Sequence, residues 1–353
     1  MMTSRALAWS LLLATSACDG ADPGPEPQPA KAEATGAPQA APEAAAPKAI
    51  PGPYDGNFVP TETVSRTGPQ RILRNITQDT EGALWLASFS GFFRYEDGVF
   101  TSVTNQANLP WIRSFAVLED HRQDIWLGTL GAGVYRVRDD TFSHLTAEDG
   151  LASDRVLSLM EDRSHHIWVG SEGAGVSRYD GTTFTTFDGS NGFVNGDVSS
   201  MAEDPSGAIW LGTRQGLFRF DGQSFVNMSE AWGVPAGGYI PTLVDRAGRL
   251  WFGGASGLHH FDGVTHTQLT TQESWALLAE DRDGNIWFSD PDSLNRLDPA
   301  TMGGDAKPDI VSVAPTEVML FDIFEDRDGT IWVGSLQGLG RLEGDTIRYP
   351  TGP

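Results

Sequence analysis

The chain has 353 residues, 39% of them hydrophobic, which is enough for one sizeable all-β domain. Its 24 Lys and Arg against 47 Asp and Glu give a formal charge of −23, which repels phosphate backbones and anionic headgroups and excludes a nucleic-acid-tracking function. The single cysteine, Cys18, excludes an internal disulfide and any cysteine-based metal cluster.

The first element reads as a secretory leader. Arg5 precedes an apolar run from Ala6 to Ala14, and small residues lead to Cys18; the run is too short for a permanent membrane span. The tetrad Thr15-Ser16-Ala17-Cys18 resembles the lipobox of bacterial lipoproteins, although Thr15 stands where a Leu is usual. The resemblance implies removal of residues 1–17 and lipidation of Cys18, hence a bacterial cell-envelope location with membrane contact through the lipid alone. Residues 18–53 are almost wholly Ala, Pro, Glu, Gln, Lys and Gly, without one aromatic. Such a segment cannot bury enough apolar area to offset the entropy of ordering, and is expected to be a disordered tether. At about 3.1 Å per residue it would reach roughly 100 Å.

Residues 54–353 carry an internal repeat. Trp85, Trp126, Trp168, Trp210, Trp251, Trp287 and Trp332 are each preceded six residues earlier by an aspartate, namely Asp79, Asp120, Asp162, Asp204, Asp245, Asp281 and Asp326. A period of about forty residues built of short alternating runs is the signature of a β-propeller. One unit parses as four strands: Arg155 to Asp162, Ile167 to Ser171, VSRYD, and a last strand around Phe184 to Phe187. Seven units predict seven four-stranded blades. The Asp is expected to accept hydrogen bonds from its own turn, the Trp to fill the space between blades, and the Gly two residues after it to admit the neighbouring chain closely. Paired acids in Asp281/Asp283 and Asp326/Asp328 raise a calcium reading, but neither loop has the length of a calcium loop, so the motif is read as architecture and no metal or cofactor is assigned. PYDGNF at 53–58 and DTIRYP near the C-terminus each look like an outer strand, and one of them is expected to complete a blade shared between the chain ends.

The units Met201 to Phe225 and Ile323 to Ile347 show the pattern best, and it resembles the two-component regulator propeller repeat. In that family such repeats form the periplasmic sensor portion of hybrid histidine kinases. The resemblance implies a sensor-like role, but this sequence runs no further than Pro353, without kinase motifs, so signalling would pass through a separate chain.

Variation around the ring supplies the candidate site. The residues leading into the first strands include Arg113, Arg155 and Asp197, with Trp111, Tyr239 and Trp275 beside them. Arginines and aromatics at one rim suit a carbohydrate or a carboxylate-bearing ligand; pairing of those arginines with neighbouring acids is the alternative. In blade six, SDPDSLN places Asp290 and Asp292 on the same face. His165 and His166 fall in a turn on the opposite face, while His259, His260 and His266 lie on adjacent outer strands. The reading is a monomeric, non-catalytic propeller that binds a small ligand or an envelope protein. Lyase or lactonase chemistry of the streptogramin-lyase type is the first alternative, disfavoured because no histidine falls at the rim. A structural adaptor is the second.

Overall fold

A computed structural model describes residues 63–350, apart from 70, 110–112, 190–192, 194–195, 236–239, 277 and 303–307. The leader, Cys18, the tether and the PYDGNF segment lie outside the described residues. Seven antiparallel sheets follow one another in sequence, and each has a four-strand meander whose strands pair in chain order. Blade three is representative, with strands Val156–Glu161, Ile167–Ser171, Val176–Tyr179 and Phe184–Phe187. The fold is a seven-bladed β-propeller. The first strands of all seven blades line a central channel, and blade seven's meets blade one's.

The aspartate–tryptophan pair is one device repeated seven times. One carboxylate oxygen of each Asp accepts the N–H of the residue four places on, at 2.8 Å from Ala83 to Asp79 and 3.1 Å from Ala208 to Asp204. The other accepts the indole N–H of the Trp six places on. All seven of these bonds form, between 2.7 and 2.9 Å. The indole is therefore both an apolar plate and a donor that needs a partner once buried. Each plate packs onto the next blade: Trp85 clusters with Val117 and Leu127, Trp168 with Val198 and Leu211, Trp332 with Leu73 and Leu86. In blades two, three, four, six and seven an arginine on the third strand covers the indole's face, as Arg136 does Trp126 at 5.5 Å. Blade five has His260 in that position, and there Arg249, from the turn, takes over the covering. The glycine two residues after the Trp, present in five of the seven blades, is needed for space. A Cβ on Gly212 would strike the carbonyl of Ile240 in the next blade.

A second device ties the turns on the face where these aspartates sit. The Glu or Gln before the turn Asp accepts the N–H of the residue after the turn Asp in the preceding blade. Six such clasps form: Thr80 to Glu119 (2.9 Å), His121 to Glu161 (2.9 Å), Arg163 to Glu203 (2.7 Å), Arg246 to Glu280 (2.8 Å), Arg282 to Glu325 (2.7 Å) and Arg327 to Gln78 (2.9 Å). The arginines extend them, with Arg327 also reaching the Thr80 carbonyl at 2.8 Å. The seam between blades four and five has no clasp, because Pro205 has no N–H to donate and Val244 no side-chain oxygen to receive it.

Ring closure differs from the shared blade anticipated above. Thr346–Arg348 is the outer strand of blade seven, a blade made wholly from contiguous sequence. Val64–Ser65 adds a fifth strand outside blade one, pairing with Phe100 and Thr101. Among the described residues no strand crosses the seam, and side chains join the two blades there.

Candidate functional site

The channel mouth is shaped by a β-bulge. In blades one to four and in blade seven, the register of the first strand slips at Arg74, Phe115, Leu157, Ser199 and Phe321, so each of these is the extra residue of a bulge. A bulge re-aims a side chain, and all five line the channel, a cavity of about 330 Å³. The guanidinium of Arg74 lies 5.0 Å from the ring centre of Phe115 and 4.6 Å from that of Phe321, between two aromatic walls.

Arg113 and Arg155 meet at the same rim. Leu130 donates its N–H to the Arg113 carbonyl at 2.9 Å and forms a bridge with Arg155. Arg113 stands 5.0 Å over Phe89, which in turn packs 5.3 Å from Phe115. Arg113 therefore continues the aromatic–cation array begun at Arg74. Arg155 is ion-paired with Glu172, and Asp197 with Arg214 at 2.9 Å. Trp275 lines the channel and donates its indole N–H to Glu273 at 2.8 Å. Asp290 turns inward on its own loop, accepting from the N–H groups of Asp292 and Ser293 and from the Asn295 amide, whereas Asp292 is exposed. Trp111 and Tyr239 lie outside the described residues.

Sequence reasoning missed Arg74. Simple alternation places the rim seven residues before each turn Asp, but the bulge brings the fifth residue before it into the channel mouth. Counted that way, Arg74 is the one cation among Phe115, Leu157, Ser199, Ile240, Ala276 and Phe321.

Immediately beyond the bulge, Asp322 is 4% exposed and reaches across the seam between blades seven and one. Its Oδ2 accepts the Ile76 N–H at 2.6 Å and the Asn75 amide at 3.1 Å, and Oδ1 accepts the Ile323 N–H at 3.0 Å. Burial outweighs these bonds and the nearby Arg74 charge, pushing the carboxyl up to about 7. Asn75 and Ser158 occupy the equivalent position, bonding to Val117 N–H and Val198 carbonyl of the next blade.

Among the described residues no histidine lines the channel. His259 and His266 do meet, Nδ1 to Nε2 at 3.0 Å, and Ser256 reaches the other nitrogen of His259 at 2.8 Å. Burial, with a smaller contribution from His266, holds His259 down at about 4, so the pair is neutral at pH 7. His260 packs against Trp251 instead.

Fold and repeat together define a propeller of a recognisable kind. Segments 150–173, 192–215 and 314–337 match the family model described as Two component regulator propeller. Among solved structures, the extracellular domain of a hybrid two component system of B. thetaiotaomicron is 20% identical with a TM-score of 0.64, covering 78% of this chain and 40% of its own. The chain thus spans well under half of that relative. Streptogramin B lyase is 13% identical with a TM-score of 0.60, covering 81% of this chain and 100% of its own. A catalytically inactive virginiamycin B lyase from Staphylococcus aureus, with quinupristin, is 13% identical with a TM-score of 0.60, covering 77% and 94%. These likenesses are of fold. No curated protein sequence matches. Among the described residues no helix is long and apolar enough to cross a membrane.

Proposed function

We propose that the protein is a non-catalytic, sensor-like recognition module of the bacterial cell envelope, binding a small carboxylate-bearing or carbohydrate ligand at the channel mouth. The observation that carries this reading is Arg74 between Phe115 and Phe321, extended along the rim by Arg113 on Phe89. In a chain of net charge −23, a mouth where cations stand on aromatic faces offers a carboxylate its counter-charge and a sugar ring its stacking surface. Arg155 and Asp197, each in an ion pair, would shape the rim more than hold the ligand. The repeat family supports a sensory role, with occupancy passed to a separate kinase chain. A lipid on Cys18 would hold the propeller at the envelope.

The absence of histidine from the described channel lining favours binding over lyase chemistry. A thermal-shift screen against organic acids and oligosaccharides tests the reading. A hit should raise the melting temperature of the wild type, lose that effect in Arg74→Ala, and be recovered chemically unchanged. Conversion of the hit into product would favour the lyase reading, and stabilisation that persists in Arg74→Ala would move the site elsewhere.

A further inference from the structure

The seam between blades two and three carries two histidines at positions where four other blades carry arginine and five carry glycine, respectively. His121 occupies the clasp position filled by Arg163, Arg246, Arg282 and Arg327 elsewhere, and its N–H makes the usual bond to Glu161 Oε2 at 2.9 Å. His165 occupies the turn position that is glycine in blades one, four, five, six and seven, and holds φ at +64°, a conformation disfavoured by its Cβ. Gln123 does the same in blade two.

Both imidazoles converge on one oxygen. The Nδ1 of His165 lies 3.0 Å from Glu161 Oε1, the Nδ1 of His121 contacts the same atom more closely, and the rings stack with centroids 3.8 Å apart. All three ligand atoms fall within 4.8 Å of one another. Without a cation, both Nδ1 atoms must donate protons to a single carboxylate oxygen. One divalent ion can replace both protons.

We propose that His121, Glu161 and His165 form a transition-metal site, with zinc as its occupant, bridging blades two and three. Two neutral imidazoles and a carboxylate are a donor set for borderline ions such as zinc and not for calcium, which takes oxygen alone. The bond from the His121 N–H to Oε2 fixes the carboxylate from behind, the kind of outer support that orients a ligand. The fourth position faces solvent, since the His165 side chain is 56% exposed. Neighbouring Asp162 adds negative charge but does not ligate, because both its oxygens are held by the turn and by Trp168. Arg122 Nε lies 3.2 Å from His121 Nε2 and is displaced when metal on Nδ1 leaves the proton on Nε2.

The chain itself supplies the control substitutions. His165→Gly installs the residue that five other blades use at this turn, and His121→Arg installs the residue of four other clasps. Each removes a ligand while keeping the local architecture. Zinc is titrated calorimetrically into chelator-treated full-length protein, and melting is followed with and without the ion. The expected result is one zinc per chain and a higher melting temperature with zinc for the wild type. Both variants should lose the binding and the shift while melting, without zinc, at or above the wild-type temperature. Failure of the wild type to bind zinc overturns the proposal. Binding that survives either substitution overturns it too, pointing to another site such as the His259–His266 pair.

Discussion

At the scale of single residues, the carboxylate of the turn aspartate does two jobs with its two oxygens, and an amide can do only one of them. In Asp120→Asn, the side-chain oxygen can hold either the Asp124 N–H or the Trp126 indole, and the new NH2 opposes the other donor. The loss should be about 1–3 kcal/mol in chemical denaturation, the cost of stranding a buried donor. For Asp162, Asp204 and Asp281 burial pushes the carboxyl up, but hydrogen bonds from the indole and the turn outweigh it and hold each below the ordinary range. A lowered acid stabilises above its unfolded-state pKa of about 4 and loses that contribution as pH falls further, so acid unfolding should steepen below pH 4. His259 behaves likewise at higher pH. Held down at about 4 against an ordinary 6.5, it favours the folded state above 6.5, and this is lost as pH falls towards 4. Its imidazole resonances should show no titration between pH 5 and 7. The Asp–Trp spacing was plain in the sequence. The bond between the two was not, because a six-residue separation brings side chains together only once the turn geometry is known.

At the scale of the element, the recurring Glu-Asp-Arg triplet is a joint between blades. The triplet could be seen by eye, yet its partners lie about one repeat, some forty residues, apart, a pairing that local patterning does not reveal. Blade five has the weakest joint. It lacks the clasp to blade four, and its four strands are three residues each. Amides of Thr242–Val244 should therefore exchange with solvent faster than those of Leu320–Glu325, which a hydrogen-exchange map would read directly. The bulge that aims Arg74 into the channel was similarly hidden, since strict alternation assumes a register that the first strands do not keep.

At the scale of the whole molecule, the number of blades and their strand order were legible from periodicity alone. The manner of closure was not, because two segments of similar composition competed for one role and the structure needs neither to be shared. Closure rests instead on Asp322, Arg327 and the cluster around Trp332. Burial raises Asp322 to about 7, so the folded chain holds that proton more tightly than the unfolded one. The resulting stabilisation is complete below the ordinary carboxyl range near pH 4 and is lost as pH rises through 7. Asp322→Asn keeps an oxygen for Ile76 and carries no charge. Its melting temperature relative to wild type should rise between pH 5 and 8, whereas a constant difference would show that Asp322 is already ionised throughout.

Because every blade is drawn from one uninterrupted stretch, the genetic unit and the structural wedge share the same borders. An in-frame duplication or deletion of a single unit would leave no strand orphaned and would ask only that the neighbours re-form one joint. A propeller assembled in this way can change its circumference, and with it the bore of its channel, in a single recombination event.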